Sequence, residues 1–206
     1  MKTRSALAQA TMDRIVDATV AAIEAGGEPA LRVNDIARDS DVSVATLYHY
    51  FGDREGLVVA ARQKQYAGST GVYYDGFSRA MRDASTCAEL SKVLCEFFGQ
   101  ATAESSRAMR FLRAEIIGSS RTRPQLAAAL REVQEDLATK LTVVFADAQD
   151  RGLMRNTISA REIAEFALSI HLGSVLHDLL LSENGPATSL DPVFSSLIES
   201  LLVVHS

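Results

Sequence analysis

Apolar and polar residues recur with the period of a helix along most of the chain. The clearest stretch is 124–150, where Leu126, Leu130, Val133, Leu137, Leu141, Val144 and Ala148 follow one another at alternating threes and fours. That spacing lays one apolar stripe along a helix, with Arg131, Glu132, Glu135, Asp136 and Lys140 on its other sides. Pro124 suits the first turn, where its missing N–H would have no partner, and Gly152 suits the residue just past the end. Ser159 and Glu162 have capping-box spacing and open a helix over 160–182. Its apolar residues, from Ile163 through Phe166, Ile170 and Val175 to Leu179, surround the axis, and a helix apolar all round is buried on both sides. One side then faces its own core and the other a partner subunit. The last helix, 191–204, starts at Pro192 and adds Val193, Phe194, Leu197, Ile198, Leu201 and Leu202. Two such helices from each of two subunits make a four-helix bundle about a twofold axis. The expected dimer interface is Phe166, Ile170, Val175, Leu179, Phe194, Ile198 and Leu201.

Before residue 58 the pattern is shorter-ranged. Val33, Ile36 and Ala37 share one face of a short helix, with Asn34 and Asp35 in its first turn. Asp39-Ser40-Asp41 breaks the pattern, and Val42 follows as an apolar plug. Ser43 is a good N-cap for a second helix through Phe51, in which Leu47, Tyr50 and Phe51 face the first. Gly52 ends it, and Asp53 caps a third helix with Arg54 and Glu55 in its first turn. Two short helices joined by a tight turn are the layout of a helix-turn-helix, whose second helix enters the major groove of DNA.

Charge tempers that reading. The chain of 206 residues has a formal net charge of −5 and a pI of about 5.4. Residues 1–64 carry eight basic residues against nine acidic ones, so the basic excess usual in a nucleic-acid binder is missing. Either the basic residues gather on one face, or affinity is modest and salt-sensitive. Residues 1–11 hold Lys2 and Arg4 but no long apolar run; they read as a disordered arm or an extension of the first helix, not a signal peptide. No run of 18 uninterrupted apolar residues occurs, so a cytoplasmic protein without a membrane span is expected. Cys87 and Cys95 lie about 12 Å apart along one helix, too far to bridge, and read as free thiols. An enzyme is not expected: G-x-S-x-G, G-x-x-x-x-G-K-[ST] and H-E-x-x-H are all absent. His171 and His177 are about 240° apart on a helix and share no face for a metal, and no cofactor is expected.

The run LRVNDIARDSDVSVATLYHYFGDREGL, Leu31–Leu57, resembles the DNA-binding segment of TetR-type transcriptional regulators. Val33, Ile36, Ala37, Val42, Ser43, Thr46, Leu47, Tyr48, Tyr50, Phe51, Arg54 and Leu57 match the family pattern, and Arg14–Ala25 looks like its first helix. Arg32 stands where Thr is frequent, Asp41 replaces the turn glycine, and Val44 and Ala45 open the second helix where many members have a polar reader. The resemblance implies an all-α fold of about nine helices: a three-helix DNA-binding domain over 1–56, then a larger ligand-binding and dimerisation domain over 57–206. It implies a homodimeric repressor that leaves a palindromic operator when a small molecule binds. A helical structural or interaction protein whose helix-turn-helix does not bind DNA is the alternative. Expected phosphate and base contacts are Asn34, Ser43, Thr46, Tyr48, His49 and Tyr50, with Val44 and Ala45 against thymine methyl groups and Arg32 and Arg54 on the backbone. An effector pocket in the middle of the chain would draw on Tyr66, Tyr73, Phe77, Phe97, Phe98, Phe111 and Phe145, with Arg110 and His171 as polar groups. Gly68, Gly71 and Gly76 weaken the helix leaving the DNA-binding domain and predict a bend, break or fraying there that links effector to DNA.

Overall fold

Helical periodicity becomes helix along most of the chain. The computed structural model describes residues 2–71, 74–180 and 190–202. Its elements are α1 (Lys2–Ala30), α2 (Val33–Asp39), α3 (Val44–Phe51), α4 (Arg54–Gly71), α5 (Tyr74–Asp83), α6 (Cys87–Gln100), α7 (Arg107–Ser120), α8 (Pro124–Asp150), α9 (Ala160–Leu180) and α10 (Asp191–Leu201). A 3-10 turn, Glu104–Ser106, precedes α7. Among the described residues the one extended pairing is an isolated bridge between Met154 and Leu202, so the class is all-α. Gly68 and Gly71 lie within α4 and Gly76 within α5. Residues 72–73, at the centre of the expected joint, lie outside the described residues, as does the candidate effector contact Tyr73.

Local signals account for most boundaries. α1 is interrupted at Gly27, whose φ of 73° and ψ of 169° leave the helical region, and Pro29 follows. α6 begins in a capping box: Thr86 accepts from the Glu89 N–H at 3.2 Å while the Glu89 carboxylate accepts from the Thr86 N–H. The box at Ser159 and Glu162 is also made. Gly152, with φ of 73°, follows the end of α8.

The chain divides into two units. The first comprises Met1–Gly68 and Ser119–Val133, the second Ser69–Gly118 and Gln134–Ser206. The first is therefore larger than a domain ending at residue 56: it takes in α4 as far as Gly68 and the start of α8. Its core is Ile15, Ile23, Leu31, Ile36, Ala37, Leu47, Leu57, Val58 and Ala61. The second unit is built on Met81, Leu90, Leu94, Phe98, Leu141, Phe145, Ala164 and Ile198, among others. The stripe of α8 is buried as its spacing requires at Leu126, Leu130, Leu137, Leu141, Val144 and Ala148.

α9 buries one side of its apolar surface and leaves the other exposed. Ile163, Ala164, Ala167, Ser174 and Asp178 point inward, while Phe166, Leu176, Leu179 and Leu180 are exposed, Leu180 at 81%. By length and mean hydropathy (1.3) the helix is apolar enough to cross a membrane. Its inner face nevertheless packs into the second unit's core and carries a buried carboxylate that is paired within that core. α10 turns Phe194 and Ile198 into that same core, so these two expected interface residues are buried in their own subunit. The three-to-four spacing leaves Val193 and Leu197 on the outer face instead.

Candidate functional site

The turn between α2 and α3 is held from within. Ser40 donates its hydroxyl to the Ile36 carbonyl at 2.5 Å, and the Val42 N–H reaches the Ala37 carbonyl at 3.0 Å. Asp41 between them has φ of 53°, a left-handed conformation that Asp tolerates and glycine would adopt more easily. Ser43 caps α3 by accepting from the Thr46 N–H at 3.1 Å, and its hydroxyl also meets that of Thr46 at 2.8 Å. Leu47 is fully buried against the first unit's core. That anchor fixes the rotation of α3: Ala45, Tyr48 and His49 are exposed, Val44, Thr46 and Tyr50 are half-buried, and Arg32, Asn34, Ser43 and Arg54 are exposed around it. The His49 and Tyr50 rings meet edge-on with centroids 5.3 Å apart.

After α3, Gly52 adopts φ of 78°, and the Asp53 carboxylate caps α4 by accepting from the Gly56 N–H at 2.8 Å. A Cβ at Gly56 would stand 1.9 Å from the Phe51 carbonyl oxygen, so only glycine fits there without backbone movement. The sequence pattern gives no sign of this close approach.

Several basic residues here are paired with carboxylates. Arg38 pairs with Asp35 at 2.9 Å and Asp39 at 3.1 Å, and Lys64 with Asp17 at 2.5 Å. Arg62 is buried against Glu28, Nε to Oε1 at 2.6 Å. Arg32 and Arg54 differ, because both donate to backbone carbonyls rather than carboxylates: Arg32 to Pro29 at 3.0 Å and Arg54 to Glu28. Glu28 also accepts from Arg123 at 3.1 Å, and Arg123 reaches Glu55 at 2.7 Å. Burial alone would raise the Glu28 pKa, but the Arg62 hydrogen bond and the Arg123 charge outweigh it and hold the carboxyl below its ordinary value. No local pattern announces this cluster, since Arg123 comes 95 positions after Glu28.

In the second unit, rings from the expected effector set come together. Phe77 stacks on Phe97 at 4.0 Å, Phe97 lies 4.6 Å from His171, and Phe98 and Phe145 flank them. His171 hydrogen-bonds the Ala167 carbonyl through Nδ1 at 2.8 Å, and burial pushes its pKa below the ordinary value. A cleft of about 300 Å³ opens beside these rings, lined by Gly76, Phe77, Ala80, Val93, Glu96, Phe97 and Gln100. Three of the set stand apart. Tyr66 is buried in the first unit. Phe111 is largely on the surface. Arg110 is fully buried and committed: Nε and Nη2 donate to Asp178 at 2.7 and 2.5 Å, and Nη1 donates to the Ala103 carbonyl at 2.8 Å. The Arg110 bond in turn lowers the Asp178 pKa.

Comparison with known proteins agrees with the recognition segment. The profile of bacterial regulatory proteins of the tetR family matches residues 15–61, and that of the BetI-type transcriptional repressor C-terminal region matches residues 87–203. Over 53 residues, 26% of this chain, 40% are identical to the HTH-type transcriptional repressor KstR of Rhodococcus jostii. The match spans about a quarter, 25%, of that relative's length. A TetR-family regulator from a Rhodococcus species superposes with a TM-score of 0.64 at 20% identity, over 94% of this chain and 98% of that one. Another from Mesorhizobium loti gives 0.67 at 17% identity, over 94% and 95%. These two likenesses concern the fold; the profile spanning residues 87–203, together with the one over the helix-turn-helix, shows that the chain belongs to the TetR family of transcriptional regulators.

Proposed function

We propose that this regulator is a homodimeric repressor that holds a palindromic DNA operator through α3 of each subunit and releases it when a small molecule occupies the second unit. The rotation of α3 carries the reading: Leu47 is buried, Ser43 caps the helix, and Ala45, Tyr48 and His49 face outward. Val44 and Ala45 meet thymine methyl groups, Ser43, Thr46, Tyr48, His49 and Tyr50 meet phosphates or base edges, and Asn34, Arg32 and Arg54 stand on the flanking backbone. One eight-residue helix reads few base pairs, so two copies are needed, roughly 34–36 Å apart. The outer face of α9 and α10, with Phe166, Leu176, Leu179, Val193 and Leu197, is the surface that brings them together. Ile170, Val175 and Leu201, half-buried, border it. The cleft beside Phe77 and Phe97 is the proposed entry to the effector site, with Phe98, Phe145 and His171 behind it. A protein with this role works in the cytoplasm, where its operator is.

Selection from a random duplex pool, repeated in about 0.2 M salt, tests the reading. The expected product is an inverted repeat with half-sites one helical turn apart, bound by a dimer. A pool that shows no enrichment would overturn DNA recognition, and binding by a monomer would overturn the assembly.

A further inference from the structure

The turn Glu28–Pro29 holds four arginines at once. Its two backbone carbonyls take the heads of Arg54 and Arg32. Its one carboxylate takes Arg62 and Arg123. All six residues belong to the first unit. The turn is well suited to this, because Gly27 kinks α1 just before it and Pro29 fixes its own φ. The Glu28 carbonyl also accepts from the Leu31 N–H at 3.2 Å, which ties the turn to the start of α2.

We propose that Glu28 and Arg123 are positioning residues for DNA binding: they fix the Glu28–Pro29 turn, which in turn holds Arg32 and Arg54 in the orientation that grips the phosphate backbone. The inference rests on the DNA-binding reading above. A guanidinium has five N–H donors in a rigid plane. A carbonyl occupying one of them fixes the head and leaves the others for phosphate. Arg32 and Arg54 are exposed, and neither spends its charge on a carboxylate in the contacts above. Of the four arginines, these two are the ones placed to meet DNA. Arg62 is buried, and Arg123 is mostly covered and shared between Glu28 and Glu55. Burial makes the Glu28 contacts more than surface pairing: its side chain is 24% exposed and Arg123's 17%, so the carboxylate has limited access to water if a partner leaves. Arg123 immediately precedes α8, whose first turns lie in the same unit, so the turn is held by a segment distant in sequence.

The test measures affinity for the selected duplex across a salt series. Each phosphate contact contributes about 0.9 to the slope of log affinity against log salt. Arg123→Met in the full chain is expected to weaken binding about tenfold and flatten that slope by about 1–2 per subunit. Combining it with Arg32→Ala and Arg54→Ala should produce no further flattening, because the path then has nothing left to position. Glu28→Gln, which keeps the shape and loses the charge, should act in the same direction. If Arg123→Met unfolds the chain, Arg123→Lys and Glu28→Gln carry the test by the same slope. An unchanged slope, or a weaker affinity with the wild-type slope, would overturn the proposal and leave DNA binding standing. A wild-type chain that selects no duplex would overturn both.

Discussion

The two units bury charge in opposite ways. In the second, Arg110 and Asp178 form one dry pair, 1% and 0% exposed, with two parallel N–H···O bonds and a third bond from Arg110 to the Ala103 carbonyl. In the first, Glu28, Arg62, Arg123 and Glu55 share partners in a chain that reaches the surface at Glu55. A dry pair is all or nothing, because losing one partner strands a charge where water does not follow. In the shared cluster, losing Arg123 leaves Glu28 still paired with Arg62, so the turn loosens without a charge being stranded outright. The same ion-pair chemistry therefore locks one unit outright and, in the other, sets how firmly the Glu28–Pro29 turn is held.

Asp178→Ala breaks the comparison at its stiffest point. It should cost about 3–5 kcal/mol of stability, read as a lower urea midpoint. Replacing both partners, Arg110→Met with Asp178→Leu, should return most of that loss, since an apolar pair strands nothing. A double variant as unstable as the single one would show that Arg110 does more than satisfy Asp178. Gly56→Ala shows that the first unit has a stiff point of its own, steric rather than ionic. The added Cβ meets the Phe51 carbonyl, and a loss of about 1–3 kcal/mol is expected by thermal unfolding. Ser43→Ala should cost about 1 kcal/mol through the lost cap on α3. The smallest effect is acidic. Because Glu28 is held below its ordinary value of 4.5, its stabilisation is complete above that pH and is lost as pH falls through the depressed value. Urea midpoints should drop below pH 4.5, and Glu28→Gln should make that drop shallower.

The helices were legible because their signals are local. Ser43, Asp53 and the Ser159–Glu162 box act within one turn, and the α8 stripe repeats every three or four residues. What could not be read was long-range. Nothing near Arg110 says that it pairs with a residue 68 positions on, so its sequence context fits an effector contact equally well. Phe194 and Ile198 have the same apolar character as Val193 and Leu197; only the docking of α10 decides which pair faces inward. The Glu28 cluster is invisible for the same reason, and Gly56 gives no sign because backbone approach leaves no trace in polarity.

The first unit is discontinuous, and that orders its assembly in time. Residues up to 68 contain most of its apolar core, but Arg123, the buried Leu126 and Leu130 and the start of α8 belong to a later segment ending at 133. At about 5–20 residues per second, roughly 3–11 s of synthesis separate residue 68 from Arg123. During that interval Glu28 can meet Arg62 but not Arg123. A nascent chain thus carries α3 before it carries the last ion pair of the turn beside it, and that pair arrives only after the first segment of the second unit, Ser69–Gly118, has been made.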